Sequence, residues 1–236
     1  AGCSCNNCIN AHNDSKMERN PVSCGIRGVD GSFHLIEAGR RLSEQLKLWS
    51  DKMNLDEIKK PETVSITHLH LGHIDGLGQF GKEVMNFNDL PLFMSRKNMK
   101  ILEKRKAISP FRCKIIKSGE KISPSVGCGF KLEFIKVPHR DEEGDTHAIL
   151  IHGPNESLLF LPDHDYWMET LEEHNKKTIR EWFSDMEINY ALIDGTFWNS
   201  QELPERKMLK IPHPTISETI KLLGRKGDND PEILFF

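Results

Sequence analysis

A β-branched segment runs directly into a histidine cluster, and this junction constrains the fold more than any other feature of the chain. Residues 63–67 predict a strand, and His68-Leu69-His70-Leu71-Gly72-His73 follows at once. His68 and His70 are two residues apart, so on an extended backbone they point to the same side. His73 falls at the start of the next predicted helix and can turn toward the same point. Three imidazoles at a strand end are typical of a metal site.

The rest of the chain alternates between strand-like and helix-like segments, which predicts a layered α/β sandwich in one domain over residues 1–236. The chain is long enough for a sizeable core, and no linker divides it. The predicted strands are 33–37, 63–67, 90–94, 113–116, 130–137, 147–151, 157–161, 190–193 and 233–236. The predicted helices are 42–53, 76–85, 96–105, 169–183 and 215–223.

Composition excludes several classes of protein. Hydrophobic residues make up 37% and charged residues 28%, which is typical of a globular chain. No segment approaches the roughly 20 apolar residues of a membrane span. The net charge of −3 argues against a general nucleic-acid footprint. We therefore expect no nucleic acid or membrane partners. We also expect a cytoplasmic protein, with a homodimer left open, and the resemblance described below implies a small-molecule or peptide-derived substrate.

Three of the six cysteines lie within the first eight residues. The Cys-x-Cys-x-x-Cys spacing of Cys3, Cys5 and Cys8 suits thiolates that converge on a structural zinc ion. Cys24 or a distant histidine could supply the fourth ligand. The alternative is a group of free thiols in a loop.

Polar residues also follow other predicted strands, where α/β folds usually build their sites. His139 and Arg140 follow the predicted strand 130–137, and Asp163 follows the predicted strand 157–161. Asp194 comes directly after the predicted strand 190–193. His213 precedes a predicted helix. We expect these side chains to meet the histidine cluster at one edge of the fold.

Each of these residues has a functional and a structural interpretation. His213 is a candidate general acid or substrate contact, or a helix cap. Asp194 is a candidate for orienting a ligand histidine, or a turn residue before Gly195. Arg140 is a candidate for binding a substrate carboxylate or phosphate, or for pairing with a surface acid. Four other histidines are predicted to lie at the surface: His12, His34, His152 and His174.

The motif His-x-His-x-Gly-His, followed by separate His and Asp motifs, resembles the metallo-β-lactamase superfamily, whose usual motif is His-x-His-x-Asp-His. Further motifs in the same order along the chain resemble the family of coenzyme PQQ synthesis protein B. More distantly, the chain resembles the cyclic-phosphate phosphodiesterases of carbon–phosphorus lyase pathways, which share the three-cysteine start but keep the aspartate. The segments that carry the resemblance are Cys3-Ser4-Cys5-Asn6-Asn7-Cys8, His68–His73, Gly78-Gln79-Phe80-Gly81-Lys82-Glu83, Pro138-His139-Arg140, Pro162-Asp163, Asp194-Gly195-Thr196-Phe197 and Pro212-His213-Pro214.

The resemblance implies an αββα sandwich with one or two metal ions at the edge between its two sheets. It implies that one metal is held by His68, His70 and His139. A second would take His73 and Asp163, with Asp163 as a candidate bridge. It also implies that an opening strand and a C-terminal histidine-bearing tail lie outside these 236 residues. That tail is expected to complete the active site and the cysteine zinc site.

Gly72 departs from the superfamily motif and bears on the chemistry. It removes a carboxylate from the second metal site, so that His73, Asp163 and the histidine of the expected tail would form a two-histidine, one-carboxylate set that is typical of non-haem iron. We therefore expect iron or zinc at the histidine site and favour oxidation. The resemblance implies hydroxylation of an amino-acid-derived substrate, with Asp163, Asp194 and His213 as catalytic candidates. The alternatives are a metallohydrolase of a phosphodiester or ester and a non-catalytic carrier of PQQ or its precursor.

Overall fold

Two β-sheets lie face to face, the first built from the N-terminal half of the chain. The computed structural model describes residues 4–140, 144–202 and 211–236. The first sheet has the order β1-β2-β3-β4-β5, in which only β1 and β2 are antiparallel. Its strands are β1 (Cys24–Arg27), β2 (Phe33–Ile36), β3 (Thr63–Ser65), β4 (Leu90–Met94) and β5 (Phe111–Ile115).

The second sheet has the order β11-β10-β9-β8-β7-β6. Strands β9, β10 and β11 are parallel, whereas β6 to β9 form an antiparallel meander. The carboxyl ends of β7, β9 and β10 therefore lie at one edge. The strands are β6 (Lys121–Ile122), β7 (Lys131–Val137), β8 (Thr146–His152), β9 (Ser157–Leu161), β10 (Tyr190–Ile193) and β11 (Glu232–Phe235).

Helices cover the outer face of each sheet. One buried cluster packs α2 and α4 on the first sheet, and another packs α5 and α6 on the second. A third cluster fills the space between the sheets, so the predicted αββα sandwich is confirmed. The helices are α1 (Asn6–Asn13), α2 (Leu42–Lys52), α3 (Leu71–Ile74), α4 (Arg96–Lys104), α5 (Trp167–Glu173), α6 (Ile179–Asp185) and α7 (Ile216–Leu223), with short 3-10 helices at Ser15–Met17 and Leu77–Phe80.

Two predicted helices are wrong in extent. The helix predicted over 76–85 is only the 3-10 turn Leu77–Phe80, because the backbone is extended at Gly81, with φ of −62° and ψ of 177°. Gly76, before this turn, packs so closely that a Cβ there would lie 2.0 Å from the carbonyl oxygen of Gly39. The helix predicted over 169–183 is two helices, because Asn175 takes a left-handed conformation and Thr178 caps the second.

Some elements, and the burial of one histidine, differ from what the sequence predicts. Strand β1 and helix α1 carry weak hydrophobic patterns and were not predicted. His34, predicted at the surface, is buried in β2. Its two ring nitrogens are bonded to Ser32 and Thr63, and these hydrogen bonds let a polar ring lie inside the fold.

No helix in the described part of the chain has the length and apolar character needed to cross a bilayer.

Phe134 provides a test of the packing between the sheets. Its ring lies on β7 in the inter-sheet cluster and is 0% exposed. We expect Phe134→Ala to lower the free energy of unfolding by about 3–5 kcal/mol, because it opens a cavity the sheets cannot collapse into. Urea denaturation measures the change, with Lys131→Ala, an exposed position on the same strand, as control. A loss below about 1 kcal/mol would contradict this packing.

Candidate metal centre

The three clustered histidines reach one point because a strand end turns directly into a short helix. His68 follows β3, His70 is the residue before α3, and His73 lies in α3. The backbone N–H of His73 donates to the carbonyl of His70 over 2.9 Å, which closes the turn. His68 and His73 are buried, and His70 is partly buried.

These imidazoles and His139 surround one carboxylate oxygen, Oδ2 of Asp163. The distances from Asp163 Oδ2 to the Nε2 atoms are 3.6 Å for His68, 3.4 Å for His73 and 3.3 Å for His139. His70 turns its Nδ1 inward, 3.0 Å from His68 Nε2 and 3.3 Å from His139 Nε2. The predicted ligand residues are therefore brought together.

The spacing of four of these atoms fits a metal ion. Ligand atoms about 2.0–2.1 Å from a tetrahedral zinc lie about 3.3 Å from one another. The separations among the inward atoms of His68, His70, His139 and Asp163 that are given above run from 3.0 to 3.6 Å. Three histidines and one carboxylate are also a chemically suitable donor set for zinc or iron.

A second polar group lies behind three of the inward-facing histidines, hydrogen-bonded to His68 and facing His139 and His73 without a hydrogen bond. His68 Nδ1 is 2.9 Å from Thr67 Oγ1, and His139 Nδ1 is 3.3 Å from Asp165 Oδ1. His73 Nδ1 is 3.7 Å from Glu37 Oε2. Outer partners of this kind orient a ligand ring and set which nitrogen carries the proton.

Glu37 is the functional residue that the sequence reasoning missed. It follows β2, is 0% exposed, and has a left-handed backbone with φ of 68°. Its Oε1 accepts the backbone N–H of Thr67 over 2.9 Å, which leaves Oε2 facing His73. The sequence signal for Glu37 was an acidic residue at the carboxyl end of an apolar strand.

Burial and charge act against each other in this cluster. Burial, followed by the neighbouring His73, lowers the pKa of His68 well below its ordinary value. Burial also acts on His73, but Asp163 and Glu37 outweigh it and raise the pKa of His73 to about 10. For Asp163, burial acts upward, but His139 and His73 hold its pKa well below the usual range. Since metal ligands must be unprotonated, a bound cation would displace the protons of His73 and His139.

Asp194 and His213 form a second, adjoining pair. Nδ1 of His213 is 2.6 Å from Asp194 Oδ2, and its Nε2 is 4.0 Å from Asp163 Oδ2. The other oxygen of Asp194 accepts the backbone N–H and hydroxyl of Thr196. Because a carboxylate only accepts, His213 carries its proton on Nδ1 and presents Nε2 to the cluster.

Gly72 supplies no donor to the second metal position that the resemblance implies. Within the described residues, the inward donors at that position are His73 and the shared Asp163, with Glu37 behind. Gly72 is exposed, and a Cβ built on it meets no heavy atom within 4 Å.

Arg140 lies close to the cluster but outside its centre. It is exposed and has φ of 36°. Burial and the charges of neighbouring groups, among them Arg140, lower the pKa of His70. Arg140 thus places a positive charge beside the cluster, which is compatible with its predicted role in binding an anionic group.

The cysteine site is described only in part. Cys3 lies outside the described residues, whereas Cys5 precedes α1 and Cys8 lies within it, both exposed. Cys24 packs against the inter-sheet cluster, and burial raises the pKa of its thiol to about 12. The structural zinc stays a prediction.

Comparison with known proteins identifies the family. The sequence model described as "Beta-lactamase superfamily domain" matches residues 34–231. The chain therefore belongs to the metallo-β-lactamase superfamily, as its histidine motif predicted. No curated protein matches the sequence.

Solved structures share the fold at low sequence identity. Zinc-bound PqqB from Methylobacterium extorquens is 14% identical with a TM-score of 0.70, the match covering 98% of this chain and 81% of that one. A diphosphatase of the PhnP family is 19% identical with a TM-score of 0.63, and the match covers 94% of this chain and 74% of that one. The short form of human tRNase Z is 13% identical with a TM-score of 0.51, and the match covers 86% of this chain and 85% of that one. The predicted PqqB-like fold is confirmed.

Glu37 can be tested through metal affinity. We expect Glu37→Gln to weaken zinc binding about 10- to 100-fold, because the amide still accepts from Thr67 but no longer orients His73 through a charge. Competition with a chromogenic chelator measures the affinity. Glu57→Gln, at an exposed position, is the control. Equal affinities for Glu37→Gln and the unmodified protein would show that Glu37 does not support the centre.

Gly72 can be tested by restoring the carboxylate. We expect Gly72→Asp to bind one more zinc ion per chain, because the new side chain enters open space beside His73. Elemental analysis after metal stripping and reloading gives the stoichiometry. Gly78→Asp is a matched control, since Gly78 is also exposed and a Cβ there also meets nothing within 4 Å. The interpretation fails if both variants bind the same amount of zinc as the unmodified protein.

Proposed function

We propose that this protein is a metal-dependent hydrolase of phosphodiester or related ester bonds. The observation that carries the proposal is the Asp194–His213 pair, whose free Nε2 faces the metal centre. A histidine held by a carboxylate beside a metal site is an arrangement suited to proton transfer during bond cleavage.

The metal centre and the Asp194–His213 pair have different roles in hydrolysis. A divalent metal held by His68, His70, His139 and Asp163 would polarise the reacting phosphoryl or carbonyl group and acidify a bound water. His213 Nε2 takes a proton from the attacking water and passes it to the departing oxygen. Asp194 holds the tautomer of His213 and stabilises its charged form through the 2.6 Å contact. Arg140 adds positive charge beside the cluster for an anionic substrate.

The comparisons support hydrolysis as a proposal. The chains that share this fold include a diphosphatase of the PhnP family and a tRNase Z. The identities of 19% and 13% carry the fold alone, so the proposal depends on the geometry of His213.

Oxidative chemistry is the second candidate, and Gly72 favours it. His73 and Asp163 with open positions suit iron better than a second well-ligated zinc. Anaerobic purification with iron as the bound metal, and oxygen consumption without ester cleavage, would support it over hydrolysis.

The pair can be tested directly on the protein loaded with zinc, using methyl phenyl phosphate, because phenolate is a poor leaving group that needs a proton. We expect His213→Ala to lower kcat about 10²- to 10⁴-fold, because the departing oxygen loses its proton donor. Asp194→Asn should lower kcat in the same direction, since it removes the charge that stabilises protonated His213. Release of phenol measures turnover.

His152→Ala is the control for this experiment. His152 lies at the far end of β8 from Thr146, roughly 20 Å along the strand, and pairs with Glu133. Normal turnover in His213→Ala with metal content unchanged would remove the basis of the proposal. Turnover absent from the unmodified zinc and iron forms alike would favour a carrier.

A further inference from the structure

A large cavity opens beside His213. It has a volume of about 880 Å³ and lies between α5 and α7. His213 forms part of its lining, so the same imidazole faces Asp163 and borders this space. A volume of this order is ample for a drug-sized organic group.

The two helices that flank the cavity are tied together. The indole N–H of Trp167 on α5 donates to Oγ1 of Thr219 on α7 over 2.8 Å, and both residues are buried. Thr219 in turn donates to the carbonyl of Thr215 at the start of α7. The cavity is therefore preformed, and a ligand does not have to order its walls.

The lining of the cavity is largely apolar. Trp167 and Leu171 are its buried members, whereas Met168 is 76% exposed and Leu222 is 53% exposed. Met168 and Leu222 thus expose apolar surface at the cavity on α5 and α7. An apolar group bound between α5 and α7 would remove them from water.

The charges around the cavity disfavour an anion. Glu169 and Glu218 contribute two carboxylates to the lining, against one ammonium from Lys177. Tyr166, also in the lining, lies within the field of the same acids, since burial and the charges of Glu218, Asp165 and Glu169 raise its pKa. Arg140, by contrast, places positive charge close to His70, at the metal cluster.

We infer that this cavity is the leaving-group subsite of the enzyme and that it takes a bulky, uncharged aryl alcohol. The inference rests on the proposed hydrolysis. In that reaction His213 Nε2 takes a proton from the attacking water, whose oxygen bonds to phosphorus. The bond from phosphorus to the aryl oxygen breaks, and His213 Nε2 passes the proton to that oxygen, which returns His213 to its starting form. The aryl oxygen must lie at His213 to be protonated, and the adjoining space for its ring is this cavity.

Binding of 2-naphthol, an uncharged aryl alcohol, tests the cavity without any turnover. Isothermal titration on the zinc-loaded protein gives the affinity. We expect Leu222→Glu to weaken binding at least fivefold, because it places a charge on the apolar wall. Val126→Glu is the matched control, since Val126 is 100% exposed and is not part of the cavity lining. Met168→Glu is a second variant on the opposite helix.

The kinetic test uses two diesters that share a methyl phosphoryl group, methyl 2-naphthyl phosphate and methyl phenyl phosphate. Their leaving phenols have similar acidity but differ in size. We expect Leu222→Glu to lower the naphthyl-to-phenyl ratio of kcat/KM about fivefold or more, and Val126→Glu to leave that ratio unchanged. 2-Naphthol should inhibit competitively.

The outcomes separate the two proposals. Turnover of both diesters, without 2-naphthol binding and with an unchanged ratio in Leu222→Glu, would overturn the subsite and leave the hydrolase standing. Binding of 2-naphthol without turnover of either diester would overturn the hydrolase and, with it, the leaving-group role.

Discussion

The convergence of histidines on one oxygen of Asp163 is the interaction on which the rest of the structure depends. Asp163 follows β9 in the second sheet, whereas His68 and His73 follow β3 in the first. The edges of the two sheets that carry these residues must therefore lie close enough for the side chains to contact one another. The backbone bond from His147 to Thr67 and that from Asp165 to Pro138 hold the neighbouring segments at this edge. The inter-sheet core behind them sets the spacing.

Acidic groups lie behind several rings of the centre. Glu37 and Asp165 face the outer nitrogens of His73 and His139, and Asp194 bonds to His213 at the border of the centre. His213 also borders the cavity between α5 and α7. A single imidazole thus connects the proposed proton transfer with the proposed recognition of the leaving group, so the two can be separated only by variants placed elsewhere on the cavity wall.

Patterns within a few residues of each other were predictable. The strand before His68, the shared side of His68 and His70, and the sandwich architecture followed from local periodicity and strand ends. Errors arose where a distant segment decides the conformation. His34 is buried because Ser32 and Thr63 satisfy its ring, and Thr63 is 29 residues away.

The sequence by itself determined which donors are present, that they follow strands, and that Gly72 breaks the superfamily motif. Only the tertiary structure decided which groups support them. Glu37 meets His73, and Asp194 meets His213 across 19 residues. The cavity between α5 and α7 likewise exists only once the helices have packed. The reason is physical: periodicity reports which face of an element is buried, whereas contacts between distant residues depend on sheet order and register, which no local pattern records.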